Sequence, residues 1–361
     1  MQELIAAPIK DSGIDKDYKS NRDASIDLLK TVAIIGVITI HISASGYSNS
    51  LGSFNWISSL FWGTLTRASV PIFLMCSGAV LLNPQKELSL KKLFSNNLLR
   101  IIIAMFFWAM AYKIYHLLAA GKFSLELLYE SVKEVLLFNQ EFHLYYLHII
   151  ILVYVFLPIT RIIIRNASKK QLQYLLAVWF VFGIIYPTVK SFWPFTLISG
   201  IPNQWFINMT YASIGYGVLG YYLKHFPLSK RRIYLMIFAI GFTFVFGATW
   251  YLSTKQGVLY SKFLEGMTVG IALMAVGLFG YFVSNKKEMK YTHIVTYISK
   301  ASFCVYLVHV FFIIIPEDIG LTVHILPCAI SIPLVVAVNL ACSCGIYAVL
   351  SRIPMVNRWL V

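Results

Sequence analysis

Charged residues are scarce in this chain. Asp, Glu, Lys and Arg make up 12% of its 361 residues, whereas a soluble domain carries roughly 25%. Hydrophobic residues account for 58% of the sequence, which leaves too few polar side chains to cover a water-facing surface. The composition excludes an ordinary soluble protein and indicates a protein that resides in a lipid bilayer.

Paired cysteines and a cleavable leader are also lacking. The five cysteines fall inside apolar stretches, without a C-x-x-C pair or a histidine ligand pattern, so we expect neither disulfides nor a metal site. Residues 1–24 have no apolar core and no small-residue cleavage site, which excludes a signal peptide. We interpret residues 1–24 as a cytoplasmic tail and residues 25–361 as a single transmembrane domain.

Long apolar stretches are what the chain does have. Each is about 20 residues long, enough for a helix to cross a hydrocarbon core roughly 30 Å thick. The fold class that follows is an all-α, polytopic membrane protein with about ten transmembrane helices. The predicted spans are 25–48, 54–83, 93–118, 144–164, 172–189, 206–224, 233–252, 264–284, 293–316 and 325–351.

The net charge of +15 follows the alternation of these spans. Of the 30 Lys and Arg residues, 20 fall in connections on one side and five on the other. Short cytoplasmic loops carry the excess of basic residues, so both termini are predicted to be cytoplasmic. This distribution explains the basic charge by topology, and no nucleic-acid partner is expected.

Two connections carry their own patterns. Residues 123–138 place apolar side chains on one helical face and Glu and Lys elsewhere, which predicts an amphipathic helix on the outer interface. Residues 191–205 are aromatic, with two prolines and two amides. We expect this outer loop to dip back into the protein.

Ionisable residues inside the spans mark candidate functional positions, because a charge near the middle of a span costs about 2.5 to 3.5 kcal/mol. In the first span, Asp27 and Lys30 lie one turn apart and His41 follows Lys30 by eleven positions. Lys30 and His41 therefore share a helical face, about 16 Å apart along the axis. The plainer alternative is that Lys30 reaches the inner interface beside Asp27 and that His41 bonds a neighbouring helix.

Other spans contribute single residues. Arg67 lies in the outer half of the second span, where Pro71 can kink the helix and Ser77 and Gly78 suit close helix packing. Arg100 enters the third span near the cytoplasm, in a cationic corner suited to a phosphate group or an anionic lipid head group.

Four further positions lie in the fourth and ninth spans. His143 opens the fourth span, where we expect a water-exposed outer residue. In the ninth span, Ser302, Tyr306 and His309 recur at spacings of four and three, so they share a face that should point into the protein. The alternating topology assigns four of these residues to the outer half, namely His41, Arg67, His143 and His309. It assigns Lys30 and Arg100 to the inner half.

These segments resemble acyltransferase family 3 of membrane proteins over nearly the whole chain, in particular the branch of the enterobacterial common antigen O-acetyltransferase. The most specific match is a basic residue followed by ten residues and a histidine, here Lys30 and His41, where Arg is commoner in the family. Supporting matches are SVPIFLMCSGAVLL, FHLYYLHIIILVYVFLPI and ASFCVYLVH. One departure is that Asn96 and Asn97 stand where many members carry a basic pair before Arg100.

The resemblance implies acyl transfer from cytoplasmic acyl-CoA, with acetyl-CoA the expected donor, to a hydroxyl of a surface glycan or lipid-linked sugar. In this hypothesis neutral His41 is the general base, a role that suits a side chain with a pKa near about 6.5. Arg67 or His309 would stabilise the oxyanion. Lys30 and Arg100 would bind the phosphates of CoA, and His143 and Tyr306 the substrate.

Three alternatives stay open from the residues. Transfer could proceed through a covalent intermediate on Ser77, although no base lies near it in sequence. The buried cations would also suit a secondary transporter of a small anion, for which internal repeats are typical and absent here. A membrane partner or sensor would need no buried base. The basic inner loops and the outward-facing active half fit a bacterial inner membrane.

Overall fold

The computed structural model describes residues 23–85, 87–198, 200–284, 293–320 and 322–361. Nearly all of the predicted cytoplasmic tail therefore lies outside the described residues. Within those ranges the chain is helical and contains no strand, so the all-α class is confirmed. The helices are α1 Ala24–Ser45, α2 Phe54–Leu65, α3 Ser69–Leu81, α4 Leu90–Lys92, α5 Leu99–Ala119, α6 Leu125–Leu136, α7 Tyr145–Asn166, α8 Lys169–Phe180, α9 Tyr186–Val189, α10 Met209–His225, α11 Arg231–Gln256, α12 Val269–Val283, α13 His293–Val308, α14 Phe311–Asp318, α15 Cys328–Leu350 and α16 Pro354–Trp359.

All ten predicted spans are helical, but they do not all have the length of a straight membrane helix. In the described part of the chain, eight helices are long and apolar enough to cross a membrane, and the bent pair α13 and α14 makes a ninth. The remaining predicted span, 206–224, becomes α10, which has 17 residues. The structure thus supports eight or nine spans, fewer than ten. The difference arises because α10 is short and because α13 and α14 form a bent pair.

Local sequence signals fix several helix ends. The Asp23 carboxylate accepts hydrogen bonds from the Ser25 and Ile26 amides at the start of α1. Ser168 and Gln171 form a reciprocal capping box at the start of α8. At the other end of a helix, Gly257 terminates α11 in the left-handed region, with φ of 72°, a conformation that favours glycine.

Helix α1 lies at the centre of the bundle and packs against α2, α3, α13 and α15. Small residues allow the close approaches. A Cβ added at Gly36 would overlap the Ser69 hydroxyl on α3. A Cβ at Gly78 would overlap the Gly217 backbone on α10, as the sequence predicts for this small-residue position.

Contacts between helix ends agree with the predicted sidedness. Lys224 pairs with Asp23, Arg161 donates to the Leu81 carbonyl, and Arg231 Nε donates to the Tyr281 carbonyl at 2.9 Å. Each contact joins two ends that the basic loops assign to the cytoplasm.

The opposite ends meet through another set of contacts. Ser45 Oγ donates to Glu317 at 2.8 Å, and Tyr115 Oη donates to Asp318 at 2.6 Å. All four of these residues lie at ends that the alternation of spans assigns to the outer side. Each of the two sets of contacts therefore joins helix ends that lie on one face of the protein. The orientation of these two faces in a membrane stays a prediction.

Two of the spans that the sequence predicts as continuous are broken. Residues 66–68 interrupt the second span between α2 and α3, and Pro71 falls in the first turn of α3, where a missing N–H is tolerated. The ninth span bends by 49° between α13 and α14, at residues 309–310. Irregular backbone at this depth occurs where it is buried in protein or lines a cavity, so both breaks mark candidate sites.

Of the two outer connections with distinct sequence patterns, residues 123–138 form the expected helix, whereas residues 191–205 do not, in their described part, take the expected inward course. The predicted amphipathic segment forms α6 and is tied to α5 by an ion pair between Lys113 and Glu134. The aromatic loop does not dip into the protein in its described part, because Trp193 and Trp205 are largely exposed. Aromatic rings of this kind are enriched at membrane interfaces, which accounts for their exposure here.

Candidate active site

Three histidines from three separate elements lie in a row at the predicted outer half. The ring centroids of His41 on α1 and His309 at the α13–α14 bend are 5.3 Å apart. The ring centroid of His143, from the turn before α7, is also 5.3 Å from that of His309. His309 is therefore the middle member of the row, and the three positions that the sequence assigns to one half are brought together.

The backbone break holds His309 in place. Its Nδ1 lies 2.7 Å from the Tyr306 carbonyl and 3.2 Å from that of Val305, both in the last turn of α13. Asn339 on α15 donates from Nδ2 to the His309 carbonyl at 2.9 Å. The same carbonyl also accepts a hydrogen bond from the Phe312 amide at 3.1 Å, so the buried Asn339 amide is a second donor to the main chain at the bend.

His143 is buried, with 1% of its surface exposed, so the expectation of a water-exposed outer residue is wrong. The reason is that the turn at residues 142–144 folds inward against α5 and α13. Tyr112 on α5 lies edge-on to the His143 ring at 5.1 Å. The Tyr306 hydroxyl donates to the His143 carbonyl, which buries Tyr306 and directs its hydroxyl to the main chain.

Arg67 occupies the break between α2 and α3. It interacts electrostatically with His41 and with Tyr47 and Tyr145. Its guanidinium makes no hydrogen bond to the described residues, and its Nε is buried without a partner. A cation placed in this way beside a histidine retains its hydrogen-bond donors for a ligand.

The row opens toward the outer side through aromatic side chains. Phe142 lies edge-on to His41, with centroids 5.2 Å apart, and 57% of its surface is exposed. Tyr145, one turn further along, is 47% exposed. His41 itself is half-buried and makes no hydrogen bond among the described residues. The catalytic candidate thus lies under an accessible aromatic rim.

The inner half of α1 contains a charged region. Asp27 is buried and accepts a hydrogen bond from Ser299 Oγ on α13 at 2.6 Å. Lys30 is half-buried and interacts electrostatically with the region around Cys76 on α3. Lys30 forms no ion pair within the described ranges, and the alternative in which it reaches the inner interface beside Asp27 stays a prediction.

Arg100 adjoins the same part of α13. Its guanidinium lies over the Phe303 ring, 5.3 Å from the centroid, and its Nε is buried without a partner. Phe303 is one helical turn from Ser299, so Arg100 and Asp27 border neighbouring parts of one helix. A π-helical turn at Leu93–Leu98 directly precedes α5; such turns are rare and frequently occur at functional sites.

Several residues that build the site are missing from the sequence prediction. Asn339, Tyr112 and Phe142 each contact a histidine of the row, and none of them belongs to the predicted site. A lone amide in the apolar span 325–351 is a signal that identifies Asn339, because buried polar groups in membrane helices need partners. The aromatic residues carry no comparable signal, since tyrosine and phenylalanine are common throughout the chain.

The arrangement is suited to proton transfer and charge stabilisation. A half-buried imidazole without an internal partner can accept a proton from a substrate hydroxyl, and an adjacent guanidinium can stabilise a developing negative charge. Among the described residues, no group of three His, Cys, Asp or Glu side chains is arranged to hold a metal ion.

Fold and site together define a multi-pass membrane protein with an intramembrane histidine and arginine site. The family model for acyltransferase family 3, an acyltransferase domain, matches residues 23–348. No curated protein and no solved structure matches the chain. Because the family match covers most of the sequence, the chain belongs to acyltransferase family 3 and is a membrane acyltransferase.

Proposed function

We propose that this protein is an O-acyltransferase that uses cytoplasmic acyl-CoA, with acetyl-CoA the expected donor, to acylate a hydroxyl of a surface glycan or lipid-linked sugar. We further propose a bacterial inner membrane location and membership of the enterobacterial common antigen O-acetyltransferase branch. The observation that carries the proposal is the placement of His41 beside Arg67 toward the outer end of α1, with Lys30 toward the inner end of α1 and Arg100 over Phe303 on the adjacent helix α13.

The spacing of the two ends matches the shape of the donor. His41 follows Lys30 by eleven positions on one uninterrupted helix, a rise of about 16 Å along the axis. CoA carries its phosphates at one end and the thioester at the other, joined by a flexible pantetheine arm. Phosphates held by Lys30 and Arg100 would leave the thioester near His41.

The reaction then follows from the outer residues. His41 takes the proton of the acceptor hydroxyl while its oxygen attacks the thioester carbonyl. The negative charge on the carbonyl oxygen is stabilised by Arg67, whose donors have no internal partner. Collapse of the intermediate forms the new ester, breaks the carbon–sulfur bond and returns the His41 proton to the CoA thiolate.

Arg67 is the better oxyanion donor of the two candidates. A carbonyl oxygen can only accept, so the His309 contact with the Tyr306 carbonyl requires the hydrogen on Nδ1. In the neutral ring Nε2 is then an acceptor, unsuited to stabilising an oxyanion. His143 and Tyr306 contribute by shaping the pocket around the row, and any contact that they make with substrate is part of the proposal.

The test uses purified protein in liposomes with radiolabelled acetyl-CoA, comparing wild type with His41→Ala. We expect release or transfer of label by wild type and a loss of about 100-fold or more in the variant. His148→Ala is the matched control, because His148 lies on α7 outside the row, edge-on to Phe138. Equal turnover by wild type and His41→Ala would remove the assigned base; no turnover by wild type with an acceptor pool present would favour the transporter alternative.

A further inference from the structure

His309 has an unusual set of neighbours for a buried histidine. It is fully buried and stands between His41 and His143, in the break of a membrane helix. Its Nε2 has no hydrogen-bond partner among the described residues. A buried acceptor left without a partner costs about 1 to 3 kcal/mol, so an occupant or a role is needed to explain it.

The protonation pattern of His309 is fixed by its backbone contacts. Because Nδ1 donates to the Tyr306 carbonyl at 2.7 Å, the neutral ring carries its lone pair on Nε2. The main chain at this point is fixed by Asn339, whose own amide oxygen accepts from Ser343 Oγ at 3.2 Å. The acceptor atom is therefore held in one place by two neighbouring helices.

His41, in contrast, makes no hydrogen bond within the described part of the chain that would orient its ring. A general base needs a group that fixes its tautomer and ring direction, commonly a carboxylate. No carboxylate hydrogen-bonds to His41 among the described residues, and the ionisable side chains that act on it are His309 and Arg67. The two rings are 5.3 Å apart and tilted by 34°, so rotation of the His41 side chain can bring facing nitrogens to hydrogen-bond distance.

We propose that His309 is a positioning residue that accepts a hydrogen bond from His41 through Nε2. The bond keeps the His41 hydrogen on the nitrogen that faces His309 and leaves the lone pair on the other nitrogen for the acceptor hydroxyl. Catalytic hydrogen bonds are often long without substrate and shorten in the complex. This role rests on the proposed function of His41. His309 would fix the tautomer and ring direction of His41, as a carboxylate commonly does for a histidine base.

Two substitutions separate the hydrogen bond from packing. His309→Gln keeps an acceptor oxygen in a side chain of similar length, whereas His309→Leu removes it and keeps apolar volume. With acetyl-CoA hydrolysis as the assay, we expect kcat to fall about 100-fold in His309→Leu, with an unchanged KM for acetyl-CoA and recovery to within about tenfold of wild type in His309→Gln. His148→Leu should behave as wild type.

A second measurement does not need turnover. The protein has eight histidines, and selective ¹⁵N labelling with a His41→Gln comparison identifies the His41 signals. In wild type we expect a single His41 tautomer, and in His309→Leu a mixture of the two tautomers. This readout separates the two proposals: the tautomer result can hold even if acetyl-CoA turnover is never observed.

The proposal is overturned by either of two results. One is an unchanged His41 tautomer in His309→Leu. The other is equal loss of kcat in His309→Gln and His309→Leu, both folded by size-exclusion chromatography, which would assign His309 a packing role.

Discussion

The outer and inner ends of α1 differ in the side chains that surround them and in the chemistry that these side chains suit. The outer end has three histidines and Arg67; His309 is held by a main-chain carbonyl at the α13–α14 bend, and Arg67 lies in the interruption between α2 and α3. The inner end has charged side chains on continuous helix, with Asp27 bound to Ser299 and Arg100 over an aromatic ring. The comparison teaches that the two groups flanking the proposed base, His309 and Arg67, are placed by irregular backbone, whereas His41, Lys30 and Arg100 lie on regular helices.

The strongest test of this contrast is at Arg67. Arg67→Met should lower kcat for acetyl-CoA turnover about 100-fold to 1000-fold, because one oxyanion donor is lost. Binding of CoA, measured by calorimetry, should stay within about twofold, since the phosphates are assigned to the other end. A large loss of CoA affinity with kcat retained would place Arg67 in donor binding and remove the distinction between the ends.

The scaffold that joins the two ends can be tested apart from either. Gly78→Ala places a Cβ against the Gly217 backbone, and overpacking of this kind costs about 1 to 3 kcal/mol. We expect a lower thermal unfolding temperature in detergent with kcat per folded molecule unchanged. Gly247→Ala is the control, because no atom lies within 4 Å of its added Cβ; equal behaviour of the two variants would contradict the packing.

The inner end should respond in binding alone. Lys30→Met and Arg100→Met should each raise the KM for acetyl-CoA about tenfold, the loss of roughly 1.4 kcal/mol of interaction, with kcat at saturation retained. Lys300→Met is a matched control, because Lys300 is an exposed cation on α13. If Lys30→Met lowers kcat and leaves KM unchanged, the inner assignment is wrong.

The smallest expected effect is at Tyr306. Tyr306→Phe removes the hydrogen bond to the His143 carbonyl, worth about 1 kcal/mol. A slight fall in unfolding temperature and activity within a few-fold of wild type would mark a structural hydroxyl. A rise in acceptor KM with unchanged stability would instead show that Tyr306 contacts substrate.

The sequence is most informative where a rule of membrane physics applies to every residue. Each of the ten spans that hydropathy predicts coincides with a helical segment. The cost of a buried charge identifies Lys30, His41 and Arg67 as candidate functional residues. The sequence is least informative at the helix breaks, because hydropathy averages over a window and does not record a local change of backbone direction. The expectation that His143 faces water is wrong for the same reason, since its burial depends on how the preceding turn folds.

The residues that complete the site show a second limit. Asn339 contacts His309 across 30 positions of sequence, and Tyr112 reaches His143 from another helix. Such partners are set by helix packing rather than by spacing along one chain segment. A single sequence identifies which polar residues need partners, whereas the structure identifies the partners.

The central claim is that one site runs between the two ends of α1, with donor phosphates inside and chemistry outside. The most direct measurement uses liposomes in which the protein has one known orientation, with radiolabelled acetyl-CoA supplied on one side only. We expect labelled acetate or acetylated acceptor on the opposite side, only when acetyl-CoA is present on the side of the basic loops. We also expect a loss in His41→Ala at any acetyl-CoA concentration, and in Lys30→Met at concentrations below the wild-type KM. Equal turnover with acetyl-CoA on either side would contradict the account.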